Sequence, residues 1–427
     1  MKNFYLEHLL LGIVIIFVAL FTLYHNISHS YSQHFSVQAF SLAKGHYDLV
    51  GNFKEKYLDT DIIKNKYYYA ADPGTALFML PLAVVFSVNE QIPPQWIANI
   101  LAIVLIVWIL NKHFNLEKIA SATTRIWLMI TFLFATSVVS VIFIPNSWNL
   151  PQTVALVLSL LYIYIFRTSQ KLYLLIPLVV ITAFTRKQLL LPFAIIPISD
   201  FLLSLNTFLN AKLKSKVSSQ KPARQQLIGK FIFTLLILIS IYTSYRLRFW
   251  WYHTRFSDNL KEGYLTKSYN LDYQTVLLQT YGQFNRHFIP KNIYTYLLKS
   301  PAPVLQTDKA GSSLKWPLIT PEFEGIGFFY LSPIFLAFFF LQPPKTNDYV
   351  AYLASAGGLL YLYLIFFTSG ETQFGLRYSA DLIPFLFIPL VQMIKNNFSS
   401  SVKLLILLSV IFNAFLLTSF FASGKTL

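Results

Sequence analysis

The chain has no cysteine among its 427 residues. That removes disulfides, thiolate metal sites and cysteine nucleophiles together. It is also short of charge, with 12% Asp, Glu, Lys and Arg against about 25% in an ordinary soluble domain. It has no glycine-rich phosphate loop of the Walker or Rossmann kind, so nucleotide chemistry built on those loops is not expected. Nor does it show an internal repeat of the sort that marks many transporters. What is abundant is apolar. Hydrophobic residues make up 55% of the chain and the mean hydropathy is +0.53, the composition of an integral membrane protein. The net charge of +16 would suit a nucleic-acid partner, but Lys and Arg fall in short connections between apolar runs. Cytoplasmic loops are marked in that way, so the basic balance is a topology signal and no nucleic acid is expected.

A bilayer core needs about 20 apolar residues in helix. Candidate spans lie near 5–24, 95–111, 126–144, 152–166, 172–185, 188–206, 230–248, 325–342, 349–368, 378–394 and 404–421. The first has no small-x-small cleavage site after it and reads as a retained helix, not a signal peptide. Lys2, Lys112, Lys118, Arg125, Arg167, Lys171, Lys212 to Lys230, Lys345, Lys395 and Lys403 then share one side. The expectation is an all-α polytopic protein with eleven spans in a cell membrane, N-terminus in the cytoplasm and C-terminus outside. The fifteen-residue run GTALFMLPLAVVFSV, Gly74 to Val88, contains Pro81. Counting it as a span breaks the alternation, so it is expected to lie on or dip into the outer leaflet.

Two large regions, 25–96 and 249–325, are expected outside. Fourteen of the 18 acidic residues lie in them or at outer helix mouths, so any chemistry is expected there. In the first region Asp59, Asp61 and Asp72 fall close together beside Tyr67, Tyr68 and Tyr69. A carboxylate at a membrane surface can act as general base toward a hydroxyl or bind a divalent cation. It can equally be part of a solvated acidic loop with its aromatics at the interface. His25, His29 and His34 have a spacing that allows zinc, but interface histidines are the plainer account and no metal ligand is assigned. In the second region Arg246, Arg248 and Arg255 flank four consecutive aromatics, and arginine can grip phosphate in a two-pronged way. A short surface helix is expected from Lys291 to Lys299, ending before Pro301. PNSWNLPQ, Pro145 to Gln152, sits at another outer mouth. Arg186 and Lys187 stand on the wrong side for the charge rule, which suggests either an anionic partner or a misplaced span.

The stretch SGETQFGLRYSADLIPF, Ser369 to Phe385, carries Glu371, Arg377 and Asp381 at the mouth of an apolar segment. Residues four apart meet on one face of an α-helix, so Arg377 and Asp381 are expected to pair. The pair either caps the span or holds a phosphate, with Asp381 orienting Arg377.

Several of these stretches together resemble the GT-C superfamily of polytopic glycosyltransferases, in a bacterial branch related to protein O-mannosyltransferases and aminoarabinose transferases. The matching elements are Gln33-His34-Phe35 through Gly45, Asp59 followed by Tyr67 and Tyr68, and Asp72-Pro73-Gly74 leading to Leu80-Pro81. They continue with Arg255-Phe256, Gly263-Tyr264, Pro290 to Tyr294, Gly327 through Pro333, and Gln373 to Phe385. The resemblance implies a sugar donor carried on polyprenyl phosphate, an inverting transfer at the outer face, and a first-loop Asp as base. Asp59 fits that place best, with Asp61 as its neighbour. The phosphate would fall to Arg377, Arg255 and Arg186, supported by Asp381, Glu371, Tyr68 and His34. The usual early Asp of the superfamily has no counterpart between Tyr24 and Phe35, and Asp72 stands where relatives tend to carry proline. The expected partners are therefore a polyprenyl-phosphate sugar, membrane lipid, and a glycan, lipid or protein acceptor. No cofactor beyond a divalent cation is in view. A lipid or glycan transporter or flippase is the rival from another class, and a non-catalytic assembly partner that kept the fold is a third possibility.

Overall fold

The computed structural model describes residues 12–13, 16–24, 32–51, 60–69, 71–86, 94–168, 172–213, 221–256, 272–308, 311–322, 324–344, 346–370, 373–396 and 398–422. The elements used below are α1 (His34–Ala43), a hairpin of β1 (Thr60–Ile63) and β2 (Lys66–Tyr69), α2 (Gly74–Phe86), α3 (Pro94–Leu116), α4 (Ala122–Phe134), α5 (Leu150–Thr168), α6 (Leu175–Thr185), α7 (Leu190–Leu213) and α8 (Lys221–Phe256). After them come a second hairpin of β3 (Ala302–Asp308) and β4 (Gly311–Thr320), then α9 (Asn347–Leu364), α10 (Ile383–Ile394) and α11 (Ser400–Ala422). The chain is a predominantly helical membrane protein.

Among the described residues, six helices are long and apolar enough to cross a membrane: Pro94–Leu116, Leu150–Thr168, Lys187–Asn210, Ala223–Arg255, Arg377–Ile394 and Ser400–Ala422. The expected count of eleven is not met, and the shortfall has local causes. The run at 126–144 breaks after Phe134 and resumes only as the one-turn helix Val139–Ile142. The run at 325–342 is cut into Phe328–Leu331, Pro333–Leu336 and Ala337–Phe340, with Pro333 opening the middle piece. Proline removes a backbone donor and restricts the residue before it. The stretches at 172–185 and 349–368 form helices, but Leu175–Thr185 is short and Asn347–Leu364 falls outside the six. Part of 5–24 lies outside the described residues. The run at Gly74 does form a separate short helix, α2, as its length and Pro81 suggest.

Aromatic contacts hold the core. Phe132 on α4 meets Phe387 on α10 edge to face at 5.0 Å. Tyr162 on α5 stacks on Phe193 of α7 at 3.9 Å, and its hydroxyl donates to the Phe193 carbonyl at 2.7 Å. At one end of the bundle the charges are interlocked. Glu117 accepts from Arg167 at 2.6 Å and Lys395 at 2.8 Å, and Gln392 donates to it at 3.1 Å. Arg167 also reaches Asp348 at 3.6 Å. Burial alone would raise the Glu117 carboxyl, but Arg167 and Lys395 outweigh it and hold its pKa below the ordinary value. These contacts gather the ends of α3, α5 and α10 and the start of α9, placing Arg167 and Lys395 together as the charge pattern expects.

Candidate functional site

At the opposite ends of the same helices a small cavity opens. Phe35 of α1, Tyr69 of β2, Asp72, the Ser147–Gln152 turn, Thr185 to Gln188, Arg248 and Tyr252 of α8, and Arg377 with Tyr378 form its wall. From Gln152 to Arg167 along α5 is about 22 Å at 1.5 Å per residue, so the cavity and the Glu117 cluster face opposite ends of the bundle.

Local structure brings these side chains together. The β1–β2 hairpin turns through Lys64 and Asn65, both in the left-handed region with φ of 51° and 61°. This two-residue geometry matches the twist of paired strands. It lays Tyr69 against His34, with stacked rings 4.5 Å apart. His34 is fully buried, and its backbone N–H donates to Ser147 Oγ at 2.8 Å, which fixes the start of α1 to the 145–149 turn. Gln95 accepts from Phe35 N–H at 3.0 Å and binds the same assembly.

Asp72 closes one side. Its Oδ1 accepts from Arg248 Nε at 2.8 Å and from the Tyr252 hydroxyl at 3.0 Å, and neither bond uses Oδ2. On the other side Arg186 Nε donates to Asp381 Oδ2 at 3.2 Å. The terminal nitrogen of Arg186 and the Tyr363 hydroxyl bind the same oxygen more closely. Asp381 Oδ1, also buried, has no hydrogen-bond partner among the described residues. Tyr378 stacks on Tyr363 at 5.4 Å, and the guanidinium groups of Arg186 and Arg377 lie 5.1 Å and 5.3 Å from its ring centre.

The expected Arg377–Asp381 pair does not form; Arg186 takes the carboxylate. The reason is the backbone. Residues Arg377–Leu382 wind as a 3-10 helix ahead of α10, and Pro384 lacks the N–H that a regular turn would return to Ala380. At three residues per turn, positions four apart point about 120° away from each other. Arg377 is left half-buried at the cavity wall with no carboxylate partner among the described residues. Gly370 and Gly375 in this stretch serve the fold. Gly370 turns at φ +97°, and a Cβ at Gly375 would lie 2.3 Å from Leu331.

Of the other expected site residues, Tyr68 is buried with its ring 5.6 Å from the Arg255 guanidinium. Arg255 lies outside the cavity wall. It donates to the Tyr69 carbonyl and lies beside the Trp251 ring, so it holds the first hairpin. Asp61 pairs with Tyr68 across the hairpin through its backbone. Asp59, Glu371, His25 and His29 lie outside the described residues. What sequence reasoning did not foresee is that Arg248, expected only as a candidate phosphate contact, and Tyr252, expected only as part of the aromatic run, bind Asp72, 176 and 180 positions away. Their only signal was the arginine-flanked aromatic run.

The flank of the site is held from the region between α8 and α9. Residues Ile289–Leu298 form a short α-turn that passes into a π-turn, ending before Pro301 as expected. Asn292 Nδ2 donates to the carbonyls of Leu364 and Phe366 at 2.9 Å and 2.8 Å, capping α9. Glu324 bridges Lys291 at 2.7 Å and Lys299 at 2.9 Å. Ile326 pairs with Gly375, two residues before Arg377.

Fold and site together define a helical membrane protein with a cation-rich cavity at one end of its bundle. No family model matches the chain, and neither the curated proteins nor the solved structures contain a match.

Proposed function

We propose that the chain is a glycosyltransferase of GT-C-like architecture. It takes a sugar from a polyprenyl-phosphate donor at the outer face of the membrane and passes it, with inversion, to a hydroxyl acceptor. The observation that carries this reading is Arg377. Arg186 and Arg248 are each matched by a carboxylate, whereas Arg377 stands at the cavity wall with no carboxylate partner among the described residues. Leaving a guanidinium half-buried without a counter-ion is costly, and an anionic ligand removes that cost. Arginine offers two parallel N–H donors to a phosphate.

In the transfer the acceptor oxygen attacks the anomeric carbon while the bond from that carbon to the phosphate oxygen breaks. The acceptor's proton passes to a carboxylate. Asp72, lining the cavity with Oδ2 outside its two hydrogen bonds, joins Asp59 and Asp61 as the base. Arg377 stabilises the negative charge that grows on the departing phosphate, the stage at which a preorganised cation contributes most.

The test is Arg377→Lys in lipid nanodiscs, with binding of polyprenyl phosphate and melting temperature measured on the same preparation. Losing the two-pronged contact should weaken binding by roughly 10- to 100-fold, the equivalent of about 1.5–3 kcal/mol for a charged hydrogen bond. The melting temperature should stay close to the parent's. Unchanged affinity with a lowered melting temperature would assign Arg377 to the fold and remove the phosphate role.

A further inference from the structure

The second hairpin is amphipathic in a way that the cavity does not explain. In its register Leu305 faces Leu314 and Gln306 faces Ser313. Side chains alternate between the two faces of a strand. One face therefore carries Leu305, Leu314 and Trp316, and the other carries Gln306, Ser313 and Lys315. The apolar side chains are not covered: Leu305 is 57% exposed, Leu314 61% and Trp316 63%. Apolar side chains clustered in the open mark an interaction surface more often than chance exposure does.

The hairpin lies against α11, which is long and apolar enough to cross a membrane. Trp316 meets Phe415 edge to face at 6.2 Å, and the Ser419 hydroxyl donates to the Ile319 carbonyl. The exposed side of α11 continues in Leu404, Leu407, Leu408 and Ile411. The segment Phe328–Phe340 also reaches α11, through Asn413 Nδ2 donating to the Leu331 carbonyl at 2.9 Å, and it leaves Phe339 and Phe340 open. The apolar face of the hairpin is thus an extension of the helix's lipid-facing side. Phe415 lies seven residues, about 10 Å, from the end of α11 at Ala422, a depth close to the headgroup boundary. Tryptophan favours that zone. A two-stranded sheet has unpaired edges that need water or headgroups, so it cannot sit deeper in the hydrocarbon.

We propose that the β3–β4 hairpin is a lipid-binding element that seats Leu305, Leu314 and Trp316 in the acyl–headgroup boundary beside α11. Its polar face, with Gln306, Ser313 and Lys315, stays in water. Both ends of the hairpin run into the segments that flank the cavity, at Lys299 and at Ile326, so the element lies next to the site without lining it.

The cysteine-free chain makes the test direct. Leu305→Cys, Leu314→Cys, Gln306→Cys and Ser313→Cys are made singly, with Leu407→Cys on α11 as a lipid-facing reference. Each is labelled with a nitroxide in bilayer nanodiscs, and collision with oxygen is compared with collision with a water-soluble nickel chelate. Positions 305 and 314 should resemble 407, with an oxygen-to-nickel ratio severalfold above that at 306 and 313. If nickel reaches both faces alike, the hairpin is in water and the proposal fails. If 305 and 314 are shielded from both reagents, protein covers the face and the lipid role is equally refuted.

Discussion

Removing the charge of Asp381 should expose which arginine it serves. Asp381 is fully buried and Arg186 nearly so, with side-chain exposures of 0% and 11%. Asp381→Asn keeps the shape but leaves Arg186 without its counter-ion, and breaking a buried pair in this way costs about 3–5 kcal/mol. The Tyr363 hydroxyl loses its charged acceptor as well, so the upper part of that range is expected. The second mutation decides the matter. Arg186→Met combined with Asp381→Asn removes the stranded charge and should recover most of the loss, because an apolar replacement of a whole buried pair is often close to neutral. Arg377→Met combined with Asp381→Asn should recover less than about 1 kcal/mol, since Arg377 is half-buried and makes no ion pair with Asp381. Unfolding in detergent micelles, followed by tryptophan fluorescence, gives all the free energies needed for the cycle. Recovery by Arg377→Met in place of Arg186→Met would refute the geometry and restore the pairing of residues four apart.

Three other outcomes follow from the same structure. A Cβ on Gly74 would come within 2.5 Å of the Phe184 carbonyl group and 2.4 Å of Thr185 Oγ1. Gly74→Ala should therefore cost about 1–3 kcal/mol by overpacking and disturb the cavity wall at Thr185 and Arg186; a parent-like melting temperature would count against the close approach. Burial raises the Glu324 carboxyl, but hydrogen bonds from Lys291 and Lys299 prevail and leave its pKa below the ordinary 4.5. A depressed folded pKa gives stability that is present above 4.5 and is lost as pH falls through the lower folded value, so the acid limb of the melting curve should flatten in Glu324→Gln; an unaltered limb would show the cluster to be inert. Finally, cysteine at Lys112 and Lys395 should be shielded from an impermeant thiol reagent in intact cells while cysteine at Asp272 reacts, and labelling at 395 would overturn the orientation drawn from the positive residues.

How far the sequence leads depends on the range over which each feature is determined. Helices such as α3, α5 and α11 are written in local apolar runs, and a reader of the runs finds them. The breaks at 135–138 and around Pro333 are less visible, because apolar residues continue through them and only backbone geometry interrupts the helix. The β1–β2 hairpin was missed because its turn uses Lys64-Asn65, lacking the glycine that usually marks such turns. Within the site, Arg186 was legible as a cation on the wrong side of the charge rule. Its carboxylate was not, since Asp381 lies 195 residues away and Arg377 offered a nearer partner at a spacing that only an α-helix would honour. In the sequence Asp72 is one loop acid among three, and nothing in its neighbourhood points to Arg248.

The two ends of the bundle contain the same ingredients and use them differently. Around Glu117 the described charges pair off: one carboxylate takes Arg167, Lys395 and Gln392, and Arg167 reaches on to Asp348. This cluster joins the ends of α3, α5 and α10 to the start of α9, and its carboxylates and cations pair with one another, although Arg167 Nη1 and Gln392 Oε1 are buried without a hydrogen-bond partner among the described residues. At the cavity end Asp72 and Asp381 likewise answer Arg248 and Arg186, and those pairs fix the wall. Among the described residues Arg377 is then left over, held beside Tyr378 by a stretch of 3-10 helix that turns it away from Asp381. Regular α-helical winding here would bring Arg377 and Asp381 onto one face. Departures from local consistency of this kind concentrate at functional sites. Residues 377–382 wind differently from the rest of the helix at the point where doing so leaves one cation without a carboxylate among the described residues, the feature on which the proposed phosphate contact rests.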